Sequence, residues 1–103
     1  MGEYFSEQAL SGLDEIQALS AEVNGAGDQH DKALLRFIEE HAAEIKDLYD
    51  EKDGHYMYEA GDLIILCMEL IKSSGGDPDT ILRVRYGKFR EKIAGILRDR
   101  KNK

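Results

Sequence analysis

The sequence predicts an all-α protein whose protomer is a four-helix, bundle-like unit. Three observations carry that expectation. Long segments rich in Leu, Ile, Ala, Glu, Lys and Arg repeat their apolar residues at three- and four-residue spacing, and none shows sustained two-residue alternation. A single proline interrupts the chain, and its breaks fall at Asn24-Gly-Ala-Gly-Asp28, Asp53-Gly54 and Ser73-Ser-Gly-Gly-Asp77. No repeat, low-complexity tract or long linker divides the 103 residues, so one domain is expected over 1–103. The spacing predicts helices over 3–23, 30–51, 55–73 and 78–100.

The first helix carries Phe5, Ala9, Gly12, Ile16, Leu19 and Val23 along one side. Gly12 costs a helix interior about 1 kcal/mol relative to alanine, and Ser11 offers an alternative N-cap. In the second, Leu34, Phe37, Ile38, His41, Ala42, Ile45 and Leu48 share a face, as an amphipathic helix requires. The third is apolar nearly all round, through Leu63, Ile64, Ile65, Leu66, Cys67, Met68, Leu70 and Ile71. Such a helix needs cover on several sides, which predicts completion by oligomerisation, as a homodimer or homotetramer. Cys67 and Met68 are assigned to packing. The fourth has the clearest start: Asp77 caps, Pro78 takes the first helical position, and Asp79 suits the positive end of the helix dipole. Its expected core stripe is Leu82, Tyr86, Phe89, Ile93, Ile96 and Leu97.

Composition narrows the function classes. The 21 acidic side chains outnumber the 14 basic ones, giving a formal net charge of −7. That balance disfavours nucleic acid and anionic membranes as partners. The lone Cys67 excludes an intrachain disulfide and a cysteine-built zinc site. The longest apolar stretch, Leu63–Met68, is far below the roughly 20 residues of a membrane span. The amino terminus has neither the basic start nor the apolar run of a secretory signal, so a cytoplasmic protein is expected.

The chemistry lies in the carboxylates. Glu59 and Asp62 are three residues apart and project from one side of the third helix. Glu59 falls within about 40° of Leu63, inside the apolar sector, where a carboxylate is costly unless paired, hydrogen-bonded or metal-bound. On the second helix Glu40 and Glu44 are four apart, and Glu44 flanks the apolar face beside His41, with Asp47 further along the ridge. If these helices pack antiparallel through the short Lys52–Gly54 turn, the two acidic ridges face each other. Four oxygen donors would then suit a hard divalent cation such as Mg²⁺. Acidic pairs at helical spacing more often form a solvated face; Glu59 among apolar residues distinguishes this pair.

The segments Glu40-His-Ala-Ala-Glu44 and Glu59-Ala-Gly-Asp62 resemble the EExxE and ExxD motifs of the MazG-type all-α nucleotide pyrophosphohydrolases, which lie about fifteen residues apart. The resemblance continues through Gly76-Asp-Pro78 and Arg85-Tyr-Gly-Lys-Phe-Arg-Glu-Lys92, and covers 33–94. Tyr58-Glu-Ala-Gly-Asp-Leu63 also resembles the related phosphoribosyl-ATP pyrophosphohydrolases, although the lysine-phenylalanine segment leans towards the MazG type. One position departs: His41 stands where the family has a metal-binding glutamate. His41 reads either as a buried neutral imidazole with a hydrogen-bond partner or as a ligand, and imidazole suits Mn²⁺, Zn²⁺ or Ni²⁺ better than Mg²⁺.

The resemblance implies hydrolysis of a (deoxy)nucleoside triphosphate to the monophosphate and pyrophosphate, with Mg²⁺, or alternatively Mn²⁺, as cofactor. It implies a metal set of Glu40, His41, Glu44, Glu59 and Asp62, with Glu40 or Glu44 serving the attacking water. Arg85, Lys88 and Lys92, spaced along one side of the fourth helix, would contact the phosphates; a solvated basic face is the alternative. Phe37, Tyr56 and Tyr58 are candidates for stacking on a base or for the core. A catalytically silent nucleotide- or metal-binding protein remains the competing function.

Overall fold

Ser6 sets the start of the first helix: its Oγ accepts from the Ala9 amide at 3.1 Å. The computed structural model describes residues 4–25 and 27–102, and among them the chain forms four helices and no strand. They are α1 (Glu7–Asn24), α2 (Asp28–Asp50), α3 (Tyr56–Ser73) and α4 (Pro78–Lys101). The all-α, bundle-like architecture expected from the sequence is therefore what the chain adopts. The boundaries differ at the first two starts. Helix α1 begins neither at residue 3, which lies outside the described residues, nor behind a Ser11 cap, because Ser6 supplies the cap. Helix α2 begins two residues early, where Gly27 turns the chain at φ 63° and Asp28 and Asp31 meet the positive helix end. Helix α4 starts as read, with the Asp77 carboxylate accepting from the Thr80 amide at 3.3 Å and from Thr80 Oγ1 at 2.7 Å.

Two helices end in the same hydrogen-bond motif on different residues. After α3, Gly75 sits at φ 87°, its amide bonds to the Lys72 carbonyl, and the Gly76 amide bonds to Ile71. After α2, Lys52 occupies the equivalent position at φ 62°, its amide bonding to Tyr49 and that of Asp53 to Leu48. Both satisfy carbonyls that a helix end leaves open. The second turns α2 back onto α3, and these two helices form the main packed pair.

Helix α1 lies against both. Leu13 and Leu34 are the buried apolar side chains of this seam, and Ser20 Oγ donates to Glu69 Oε1 at 3.0 Å. The Lys72–Asp14 ion pair and a Ser73–Asp31 hydrogen bond close the same end. The stripe expected on α1 is corrected here: Leu13 is the anchor, while Ala9, Leu19 and Val23 are exposed. Starting at Glu7 and touching two helices through one narrow face, α1 buries only what lies on that line.

Helix α4 departs most from expectation. Its first turn is held firmly: Pro78 and Asp79 are buried, and Asp79 Oδ1 accepts from the Tyr4 and Phe5 amides at 2.6 and 3.0 Å. Beyond that turn the helix contacts only α3 among the helices and runs out along the molecule. The expected core stripe of Leu82, Tyr86, Phe89, Ile93, Ile96 and Leu97 is exposed: Leu82 lines the cleft against α3 and the Tyr86 ring lies 6.2 Å from that of Tyr4, but among the described residues no helix covers the rest of the stripe. Cys67 is likewise exposed rather than packed, on the wall of an apolar cleft of about 410 Å³ between α3 and α4. No helix among the described residues is long and apolar enough to cross a membrane.

Candidate metal centre

The antiparallel α2–α3 pair brings His41 opposite Glu59 and Asp62. On α2, His41 Nδ1 lies 2.8 Å from the Phe37 carbonyl, one turn back. A carbonyl has no proton to give, so Nδ1 is the donor and Nε2 is directed away from its own helix. On α3, Glu59 and Asp62 are one turn apart and share a side. His41 Nε2 stands 3.4 Å from Glu59 Oε2 and 3.9 Å from Asp62 Oδ2. One ligand atom from each of the three lies within 4.8 Å of the others.

Glu59 is the centre of this group. Its side chain is only 15% exposed, and Oε2 is buried with no hydrogen-bond partner among the described residues. A hydrogen bond with Glu44 holds the Glu59 carboxyl above its ordinary value; burial and repulsion from Glu44 and Asp62 act the same way, and His41 opposes them. Glu44, exposed on α2, thus acts on Glu59 from beside the group without being one of its three converging ligands. Glu59 and Asp62 converge on the His41 imidazole. The separation is also informative. A direct N–H···O bond prefers roughly 2.7–3.2 Å, whereas two donors about 2.1 Å from one tetrahedral ion stand about 3.4 Å apart. The orphaned oxygen and the spacing fit a divalent cation held by His41, Glu59 and Asp62.

The other expected residues are placed differently. Glu40 is exposed on α2, roughly 100° around the helix from His41, and is not among the converging atoms. Arg85 lines the α3–α4 cleft with Leu63, Ile64 and Met68. Of those α3 positions, Ile64 and Met68 lie roughly 140–180° around the helix from Glu59, on the flank away from α2, while Leu63 lies about 40° from it. Lys88 and Lys92 follow on the exposed part of α4. Of the aromatic candidates, Tyr56 packs edge-on against Tyr49 at 5.2 Å, closing the hairpin, and Tyr58 is exposed beside His55. Phe37 is the one beside the centre: with His41, Asp62, Ile65 and Leu66 it lines a shallow, largely apolar hollow of about 350 Å³.

Two residues not expected from the sequence belong to this neighbourhood. His55 Nε2 lies 3.7 Å from Glu59 Oε1, so imidazoles flank both oxygens of that carboxylate. The signal was present, since His55 and Glu59 have the i,i+4 spacing of helical neighbours. The Arg36 guanidinium lies over the Phe37 ring, 5.0 Å from its centroid, and places a fixed cation near the hollow. No family model, curated protein or solved structure matches the chain.

Proposed function

We propose that the protein is a metal-dependent nucleotide pyrophosphohydrolase of the MazG type, cleaving a (deoxy)nucleoside triphosphate to the monophosphate and pyrophosphate. The observation that carries this reading is the convergence of Glu59 and Asp62 on His41 beside an apolar hollow. A triphosphate brings about four negative charges to a region already rich in carboxylates, so its approach requires cations. A divalent ion there, Mg²⁺ or Mn²⁺, would polarise phosphoryl oxygens and lower the pKa of a bound water. Glu59, Asp62 and His41 hold the centre. In this reading Glu44, which acts on Glu59 from α2, takes the proton of a water attacking phosphorus, help worth about 10²–10⁴-fold. The hollow beside Phe37 suits a planar base, and Arg36 adds a cation for its phosphates.

A second copy of the chain completes the molecule in this proposal, as a homodimer or homotetramer in the cytoplasm. Half-exposed side chains along one face of α4 amount to roughly 600 Å² per copy, close to the about 800 Å² per partner of a standard interface. Cover of that face also offers Arg85, Lys88 and Lys92 a route to a centre they do not reach along α3.

Pyrophosphate release from a nucleotide panel, with Mg²⁺ and with Mn²⁺, tests the activity. Wild type is expected to hydrolyse at least one nucleotide, and Glu59→Ala to lower the rate by about 10²-fold or more. Full activity in Glu59→Ala removes the site from the reaction. The silent-binder reading is favoured by one observation, the imidazole of His41 amid the carboxylates. No release from wild type, with a gain on His41→Glu, would establish it instead.

A further inference from the structure

Two histidines, rather than carboxylates alone, surround Glu59, and their geometry bears on which ion the centre takes. His41 is oriented before any ligand arrives. Its Nδ1–H is committed to the Phe37 carbonyl at 2.8 Å, which leaves Nε2 as the atom presented to Glu59 Oε2 at 3.4 Å and Asp62 Oδ2 at 3.9 Å. A ring nitrogen donating to a backbone carbonyl while the other faces carboxylates is how metal-binding imidazoles are fixed in tautomer and direction. Glu59 Oε2 is buried and lacks a hydrogen-bond partner among the described residues, so the atom opposite Nε2 also points into the centre. His55 brings a second imidazole to 3.7 Å from Glu59 Oε1.

From this geometry we infer that the His41–Glu59–Asp62 centre selects a first-row transition cation, such as Mn²⁺, Co²⁺ or Zn²⁺, over Mg²⁺. The inference rests on the metal centre of the proposed function and adds to it the identity of the ion. Mg²⁺ demands an all-oxygen octahedron and sheds its waters reluctantly, so a nitrogen fixed at the centre of the donor set is a poor substitute for a carboxylate. The borderline transition ions take mixed nitrogen and oxygen sets readily, with affinity rising from Mn²⁺ through Co²⁺ to Zn²⁺. His41 thus discriminates by donor type, and His55 stands behind it on the other face of the shared carboxylate.

Binding of the metals alone to the full chain tests this without reference to hydrolysis. Calorimetric titrations with Mg²⁺, Mn²⁺, Co²⁺ and Zn²⁺ are expected to show each transition ion binding at least about tenfold more tightly than Mg²⁺. Bound Co²⁺ should have a visible absorption spectrum that changes in His41→Gln, and that variant should lose about 10–100-fold in transition-ion affinity. His41→Glu should narrow or reverse the preference, and circular dichroism of both variants confirms that they remain folded. Equal affinity for Mg²⁺ and Mn²⁺, unchanged in folded His41→Gln, overturns the selectivity and leaves the hydrolase proposal standing. Failure of every cation to bind overturns both.

Discussion

Glu59 carries a cost to the fold at the candidate metal centre. Its carboxyl is raised above the ordinary value, first by the hydrogen bond with Glu44, so the folded chain binds that proton more tightly than the unfolded chain does. The sign follows from linkage: the destabilisation is absent below the unfolded carboxyl pKa and fully present once pH exceeds the raised, folded value. At neutral pH and without metal, Glu59→Gln is therefore expected to raise the thermal midpoint, because the amide removes the charge and can donate to Glu44. The same variant should lose the further rise that wild type gains from a bound cation. Melting curves with and without Mn²⁺ check both halves, and a lower midpoint in metal-free Glu59→Gln would contradict the account. That Glu59 was costly could be seen in its place among Leu63 and its neighbours. That His55 touches its other oxygen could have been seen from their four-residue spacing, but an exposed histidine at a helix start has no pattern of its own.

The helices were legible to the extent that caps and periodicity are local. Asp77, Pro78 and the two glycines after Ser74 mark a start and an end that need no tertiary information. The end of α2 was harder, because Lys52 occupies a left-handed position where glycine is the usual residue. A non-glycine residue there costs roughly 1–2 kcal/mol. Lys52→Gly, which preserves the hydrogen bonds from Lys52 and Asp53 to Tyr49 and Leu48, is therefore expected to stabilise the chain by about 1 kcal/mol in urea denaturation. The exposure of Lys52 leaves no packing to lose. A destabilised variant would mean that the lysine side chain contributes more than its backbone costs. The early start of α2 at Asp28 has the opposite character: Gly27 makes no side-chain cap, and the two aspartates of the first turn supply what the sequence pattern alone does not rank.

At the scale of the whole molecule, one helix pair and a crossing helix make the protomer, and α4 leaves it. Leu82, Tyr86, Phe89, Ile93, Ile96 and Leu97 have the periodicity of a buried face yet lie exposed in the single chain. Under the proposed assembly, the double substitution Phe89→Asp and Ile93→Asp should shift the sedimentation coefficient from oligomer to monomer. The pair Glu59–His41 lies elsewhere, so cation binding should fall only if the second copy supports the centre. A wild type that sediments as a monomer at high concentration would exclude the assembly. Helix identity, the apolar stripes and the acidic turns of α2 and α3 depend on residues at most a few positions apart, and so could be read directly from residue order. Which stripe meets another helix, which nitrogen of His41 faces Glu59, and that Arg85 lies on the far flank of α3 depend on how the helices cross. Periodicity specifies the face of a helix but not its neighbour, since the same apolar stripe is satisfied equally by this chain or by a second one.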